Sequence, residues 1–428
     1  MKVIILTGGI GKRMAPIEKD KCLIKFLGKE LILHQIEKLH NVGLNDIIII
    51  GNPTNINVLK KLCGDEIEYV VQNEPKGMAD ALLSIEKIPD QALIVSANDV
   101  FDEDAYKNVI NTKGDSVILG YEVKEYFPGG YLIVEGNKMK GIIEKPGAGK
   151  EPSNLVNIVV HLHRKYADLV KYMKAAKTNK DDQYDVAMDN MIKENYDYSV
   201  SKYNGFWGSI KFPWHIFEIR NYFLDKAEAR ISPKANIAKS AEIIGKVIVE
   251  EGVRVFENAV IKGPCYIGKN SIIGNNAFMW NYTHIGEGCV IGFSSELKNS
   301  YVGDCTNTHQ SFVGDSIIMD NCNIAAGTIT ANYRFDTKNI QIKVGDNMIN
   351  TGRNHFGCII SSNVKTGVNV SIMPGIRIGM NTIICPNVVV NQDIPKNKYI
   401  KIHQKIDMID NDVKNGNFEQ PTKSEDLV

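Results

Sequence analysis

A six-residue period constrains this chain more than any other feature. Ile231, Ile237, Ile243, Val249, Val255, Ile261, Ile267, Ile273, Met279, Ile285, Ile291 and Leu297 follow one another at six-residue intervals, twelve aliphatic positions without a gap. An α-helix repeats every 3.6 residues and an ordinary strand every 2, so neither generates such a ladder. A β-solenoid does, because each hexad supplies one short strand and one turn and points its aliphatic residue into the shaft. Gly268, Gly274, Gly286 and Gly292 follow several rungs, where tight turns tolerate glycine best. The register breaks after Leu297, which predicts a loop inserted there, and returns at Ile360, Thr366, Ile372, Ile378, Ile384 and Val390. The pattern therefore predicts a parallel β-helix over 226–404 and a poorly ordered polar tail over 405–428.

The preceding 225 residues read differently. Short apolar runs at 3–7, 46–50, 68–72 and 92–96 alternate with stretches of helical spacing such as 31–41 and 78–88. Strands alternating with helices predict an α/β doubly wound (Rossmann-like) domain over 1–225, its sheet mainly parallel, with ligands at the carboxyl ends of the strands. The segment 213–229 has helical composition and is expected to connect the two halves. A total of 428 residues suits two hydrophobic cores better than one. Lysine plus arginine equals aspartate plus glutamate at 50 each, which offers no electrostatic footprint for nucleic acid or a membrane surface. The eight cysteines form no CxxC pair and read as small, buried, reduced side chains of a cytoplasmic protein, without zinc. The opening MKVIILTGGIG is too short an apolar run to span a membrane and lacks a signal-peptide cleavage pattern; it reads as a buried first strand.

The string LTGGIGKRMAP follows that strand. Consecutive glycines let backbone N–H groups approach a triphosphate, and Lys12 and Arg13 add positive charge. With the motifs further on, the first 225 residues resemble the sugar-1-phosphate nucleotidyltransferase family. Gly8, Gly9, Gly11, Arg13 and Pro16 match its signature, and Lys21 falls at its lysine, with Asp20 in place of the usual proline. Gln72 and Gly77 lie in a segment similar to the family's pyrimidine-binding one, with Met78 where threonine is usual. Asp99 corresponds to the metal-binding aspartate, and Gly130, Glu144, Lys145 and Asn157 to positions that hold the sugar and its phosphate. The string FWGSI, 206–210, matches a late motif in which Ser209 takes the place of a second metal ligand. The resemblance implies Mg²⁺, a nucleoside triphosphate (UTP or dTTP) and a sugar 1-phosphate as ligands. It casts Arg13 and Lys21 as the catalytic cations of a reaction governed by charge neutralisation and in-line positioning.

The β-helix resembles the left-handed acetyltransferase domain of the bifunctional N-acetylglucosamine-1-phosphate uridylyltransferase/glucosamine-1-phosphate acetyltransferase family, in its archaeal-type form. The likeness rests on 296–300, on HQSFVGD at 309–315, on NIAAGTITANYRFDTK at 323–338 and on 365–375. It implies acetyl-CoA as co-substrate, His309 as the base, and Lys298, Asn332 and Lys338 as acceptor-binding residues; His284 and His355 lack such context and are taken as structural. Trp280 stands where the family has a phosphate-binding arginine and Phe312 where it has tyrosine. The expected assembly is a homotrimer. The expected function is synthesis of a nucleotide-activated N-acetylamino sugar. The departures leave open a chain with one live site, or a catalytically silent scaffold that binds nucleotide sugars.

Overall fold

The structure, a computed structural model, describes residues 1–178 and 182–408; most of the expected tail lies outside the described residues. The first lobe is built on a nine-stranded sheet. Four neighbouring strands run parallel in the order Glu68–Val71, Ile47–Gly51, Lys2–Leu6 and Ala92–Ser96. Side chains alternate between its two faces. Val3, Ile5, Ile47, Ile49, Leu93 and Val95 enter one buried cluster with helix Leu31–Asn41, while Ile4, Ile48, Ile50 and Ile94 enter the other, beneath Tyr166–Ala175 and Gln183–Lys193. Cover on both faces is why these strands read as unbroken apolar runs.

The sheet is mixed rather than mainly parallel. Leu155–His163 lies antiparallel to both its neighbours, Ala92–Ser96 and Ser116–Glu122, and Gly130–Glu135 pairs with Lys138–Glu144 as a hairpin turning at Gly136, whose φ is 60°. A hairpin needs only a two-residue turn, so it breaks the strand–helix alternation from which parallel order was inferred. Helix 78–88 is also shorter than its periodicity suggested, at Met78–Leu83.

From Arg230 onward, strands of two or three residues stack into three parallel sheets of eight, nine and eight strands. Val249, Ile267 and Ile285 stack one above another, as do Val255, Ile273 and Ile291, and Ile261, Met279 and Leu297. Ile267, Ile273, Ile285 and Ile291 are fully buried in one interior cluster, whereas Ile231, at the open end of the shaft, is 50% exposed. This is the left-handed parallel β-helix of the hexapeptide pattern.

The break after Leu297 has a different cause from the one expected. No loop enters there: Leu297 stacks on Val313, sixteen positions along the chain, where Met279 stacked on Leu297 at eighteen. Shortened corners tighten the coil while the sheets continue through it. Thr308 and Thr330 occupy rungs in this stretch, and the Thr330 hydroxyl accepts the Gly314 amide at 2.9 Å. The inserted segment comes later, between Thr330 and Ile359, and includes the hairpin Gln341–Val344 with Asn347–Asn350.

The rung-following glycines also owe their place to something other than turn conformation. A Cβ on Gly268 would lie 2.5 Å from the Gly286 carbonyl carbon, and one on Gly292 would lie 2.6 Å from the Thr308 carbonyl oxygen. The next coil leaves no room. Left-handed corners fall instead to asparagines such as Asn270, Asn276, Asn369, Asn381 and Asn387. All eight cysteines are free thiols, but Cys305 is exposed and Cys63 and Cys385 half-buried, so burial is not their common property. No helix among the described residues is long and apolar enough to cross a membrane.

The connecting helix, His215–Lys226, lies within the expected 213–229 and packs Ile216, Phe217, Ile219 and Phe223 into a cluster shared with Tyr301, Ile317, Phe356 and Ile359 of the β-helix. Polar contacts fix the same junction. Lys19 pairs with Asp320 at 2.8 Å and Lys25 with Asp304 at 2.7 Å, and the Tyr301 hydroxyl donates to the Lys25 carbonyl at 2.9 Å. His284, sandwiched between Tyr266 and Tyr301, accepts the Leu27 amide at 3.3 Å, a structural role as expected. The segment carrying Lys21 is thus clamped to the β-helix on both sides.

Candidate active sites

The carboxyl ends of the parallel strands open into a cavity of about 660 Å³. Its walls bring together Gly8, Gly9, Gly11, Lys12, Arg13, Lys21, Gln72, Gly77, Asp99 and Ser209 of the sequence-derived set, and add Asn98 and Lys211. Local chemistry places each. The loop 7–11 leaves the strand Lys2–Leu6, and Gly11, with φ 67°, turns it into a short 3₁₀ segment carrying Arg13. Gln72 follows Glu68–Val71 and is buried; its Nε2 donates to the Gly77 carbonyl at 3.1 Å and to Asp80 at 2.8 Å.

Asp99 and Ser209 face each other across a short antiparallel pair, Asp99–Phe101 with Trp207–Ser209. Burial pushes the Asp99 carboxyl up from its usual value, and Ser209, Lys211, Ser96 and Trp207 oppose that shift. Lys211, absent from the sequence-derived set, sits with its ammonium 3.4 Å from the Phe127 ring centroid; burial pushes it down to about 8, with Asp99 opposing. Burial likewise lowers Lys21, again opposed by Asp99. A signal for Lys211 was present. It follows Trp207 and Ser209 at a spacing of two, the period that keeps side chains on one side of an extended segment.

Gly130, Glu144, Lys145 and Asn157 gather beside this cavity rather than in its wall. Gly130 pairs with Glu144 in the hairpin, and a Cβ on it would meet Asn157 Nδ2 and Glu144 Oε2, each at 3.0 Å. Lys145 pairs with Glu144 at 2.8 Å. Asp185 joins this group unforeseen, its carboxyl pushed up to about 7 by burial and by the neighbouring Glu144.

No group of three or more His, Cys, Asp or Glu side chains among the described residues could hold a metal ion alone. Asp99 is nevertheless a buried carboxylate on the cavity wall, without an ion-pair partner among the described residues. One carboxylate together with substrate phosphates and water is a normal donor set for Mg²⁺, so the residues fit a cation that arrives with a triphosphate.

The second set lies on the β-helix. Lys298 stacks between Trp280 and Gly314 in adjacent coils, its ammonium 5.4 Å from the Trp280 ring centroid and 3.7 Å from Asp315. The Trp280 indole N–H donates to Glu296 at 3.1 Å. Asn332 lies over Gly314 and donates to Asp315 at 2.6 Å. Asp315, the last residue of the HQSFVGD string, is buried and central to this group, a role that the string by itself does not reveal. His309 and Lys338 are exposed, and no hydrogen bond or ion pair among the described residues joins either side chain to the Asp315 group. His355, taken as structural, packs on Tyr333 with ring centroids 4.5 Å apart.

Comparison with known proteins matches residues 2–210 to the family described as "Nucleotidyl transferase". Similarity to whole proteins extends over both lobes. A "Bifunctional sugar-1-phosphate nucleotidylyltransferase/acetyltransferase" of Sulfurisphaera tokodaii is 34% identical over 94% of this chain and 100% of that protein. "Bifunctional protein GlmU" of Methanocaldococcus jannaschii is 33% identical, and that of Methanococcus vannielii 32%, each over 94% of this chain and 97% of that protein.

Proposed function

The chain belongs to the family of bifunctional sugar-1-phosphate nucleotidylyltransferases/acetyltransferases, and on that premise we propose that it makes a nucleotide-activated N-acetylamino sugar by two transfers on two lobes. Residues 1–225 perform nucleotidyl transfer and 226–404 acetyl transfer. The observation that carries the first assignment is the convergence of Gly8–Gly11, Arg13, Lys21, Asp99 and Lys211 on one cavity at the strand ends.

In the first reaction an oxygen of the sugar 1-phosphate attacks the α-phosphorus of UTP or dTTP, and pyrophosphate leaves. Backbone N–H groups of the glycine loop and the Arg13 and Lys21 side chains receive the triphosphate, and Lys211 adds a third cation on the Asp99 side. Glu144, Asn157 and Lys145 hold the sugar and its phosphate. Asp99 would hold Mg²⁺, which when bound offsets phosphate charge during transfer. Clamping of Lys19 and Lys25 onto the β-helix keeps Lys21 in place, so less reorganisation is needed at the moment of reaction.

In the second reaction the amine of an amino sugar attacks the thioester carbonyl of acetyl-CoA. His309 takes the ammonium proton and CoA leaves as the thiol. Asn332 and Lys298 orient the acceptor, and Lys338 reaches it from the inserted segment. Because the exposed His309 and Lys338 side chains make no hydrogen bond or ion pair with the Asp315 group among the described residues, and Phe293 and Phe335 are exposed, we assign the working form to a homotrimer whose neighbouring shafts complete each site. The chain is assigned to the cytoplasm. Trp280 packed against Lys298 favours an acceptor with fewer phosphate contacts than glucosamine 1-phosphate offers.

The test is a pair of half-reactions run across a panel of sugars. Pyrophosphate release from UTP or dTTP with a sugar 1-phosphate should need Mg²⁺ and stop with chelator, while CoA release with an amino sugar should survive chelation. Silence of one half-reaction with every sugar reduces the chain to a single activity; silence of both leaves a scaffold.

A further inference from the structure

The connecting helix buries a charge that packing alone does not require. Arg220 is fully buried, and no carboxylate among the described residues lies within ion-pair distance of it. Burying a guanidinium without a carboxylate is costly unless its donors are used. Nε and Nη2 both donate to Asn221 Oδ1, at 3.1 and 2.8 Å, and Nη2 also donates across the lobe junction to Asn299 Oδ1 at 2.5 Å. Asn299 passes the contact on. Its Nδ2 donates to Asp315 Oδ1 at 2.6 Å, and Asp315 Oδ2 accepts Asn332 Nδ2 at 2.6 Å and lies 3.7 Å from the Lys298 ammonium.

We propose that Arg220, a residue of the first lobe's last helix, is a positioning residue for the acetyl-transfer site, acting through Asn299 and Asp315 on Asn332 and Lys298. This rests on the acetyl-transfer reading given above. The physical reason is the two-sidedness of an amide. An asparagine side chain can present oxygen or NH₂ to a given neighbour, and only its partners decide which. A donor on one side and a carboxylate on the other leave Asn299 a single orientation, with NH₂ toward Asp315. Asp315, so held, keeps both oxygens engaged and fixes the Asn332 amide over Gly314. Without the guanidinium, Asn299 is free to turn, Asp315 loses a donor, and Asn332 loses its fixed partner. The second site is therefore completed by a side chain from the first lobe.

The experiment uses the full chain and measures CoA release and pyrophosphate release side by side. Native CoA release comes first; its absence would sink the acetyl-transfer reading itself, apart from any role of Arg220. Given that activity, Arg220→Met should lower kcat for CoA release by about 10- to 100-fold, as for sub-ångström to 1 Å misplacement of a binding group. The KM for acetyl-CoA should stay within about twofold, because the network touches only acceptor residues, and pyrophosphate release should be unchanged. Arg220→Lys, which keeps a charged donor, should recover most of the loss. Asn299→Asp still accepts from Arg220 but turns an oxygen toward Asp315, and should reproduce the loss without altering the helix. Native CoA release in either Arg220→Met or Asn299→Asp overturns the proposal. So does a parallel loss of both activities with a lowered melting temperature and no recovery in Arg220→Lys, which would make the residue purely structural.

Discussion

Gly8→Ala isolates the close approach on which the nucleotide cradle depends. Gly8 does not adopt left-handed φ, so alanine is allowed by the backbone and the effect is steric alone. The added Cβ would lie 2.4 Å from Gln72 Oε1, roughly 1 Å inside ordinary contact. A surface glutamine would swing away at little cost. Gln72 is 4% exposed and anchored by Nε2 to the Gly77 carbonyl and the Asp80 carboxylate, so moving its amide sacrifices both bonds. Taking about 1 kcal/mol for the neutral bond and about 1.5–3 kcal/mol for the charged one, the loss is about 2.5–4 kcal/mol. Expressed at the nucleotide site, that is a fall in kcat/KM for the triphosphate of about 70- to 900-fold. CoA release should be untouched. The decisive assay is a double-mutant cycle on pyrophosphate release: in a Gln72→Ala background the collision partner is gone, and Gly8→Ala should cost less than about threefold. Equal effects of Gly8→Ala in both backgrounds would refute the reasoning, because the penalty would then not run through Gln72.

Within the shaft, Ile285→Ala removes a fully buried rung and should cost about 2–5 kcal/mol in denaturant melts, whereas Ile231→Ala, half exposed at the open end, should cost under about 1 kcal/mol; equal costs would contradict the interior ladder. Asp304 is held below the usual carboxylate range, against burial, by the Lys25 ammonium and the Glu287 amide. A depressed carboxyl stabilises above its unfolded pKa and loses that contribution as pH falls through its folded value. Lys25→Met should therefore cost about 1.5–3 kcal/mol at neutral pH, and the gap to the native chain should close as pH falls below the unfolded carboxylate value of about 4; a gap independent of pH would show that the pair does not set the linkage.

Much of this was legible in the residues, and the gaps have physical causes. The ladder from Ile231 to Leu297 announces the shaft because a hexad period has one structural source. The same logic misplaced the insertion, since a coil can shorten at its corners without leaving the sheet, as Leu297 on Val313 does. The signature loop, Lys21, Gln72 and Asp99 were readable because local motifs carry them to one cavity. Asp185 was missed because it gains meaning only from Glu144, remote in sequence, whereas Lys211 carried a faint local signal in its spacing from Ser209 and gains its full meaning only beside Asp99. Asp315 shows the limit most clearly. It stood in plain view within HQSFVGD, yet its role depends on Asn299, Asn332 and, through Asn299, Arg220, which come together only in three dimensions.

The claim that two independent chemistries share one chain meets its most direct test when pyrophosphate and CoA are followed together in Asp99→Ala and in His309→Ala. Asp99→Ala should abolish Mg²⁺-dependent pyrophosphate release and leave CoA release at the native rate, and His309→Ala should do the reverse. A variant that silences both products, or neither, would contradict the account.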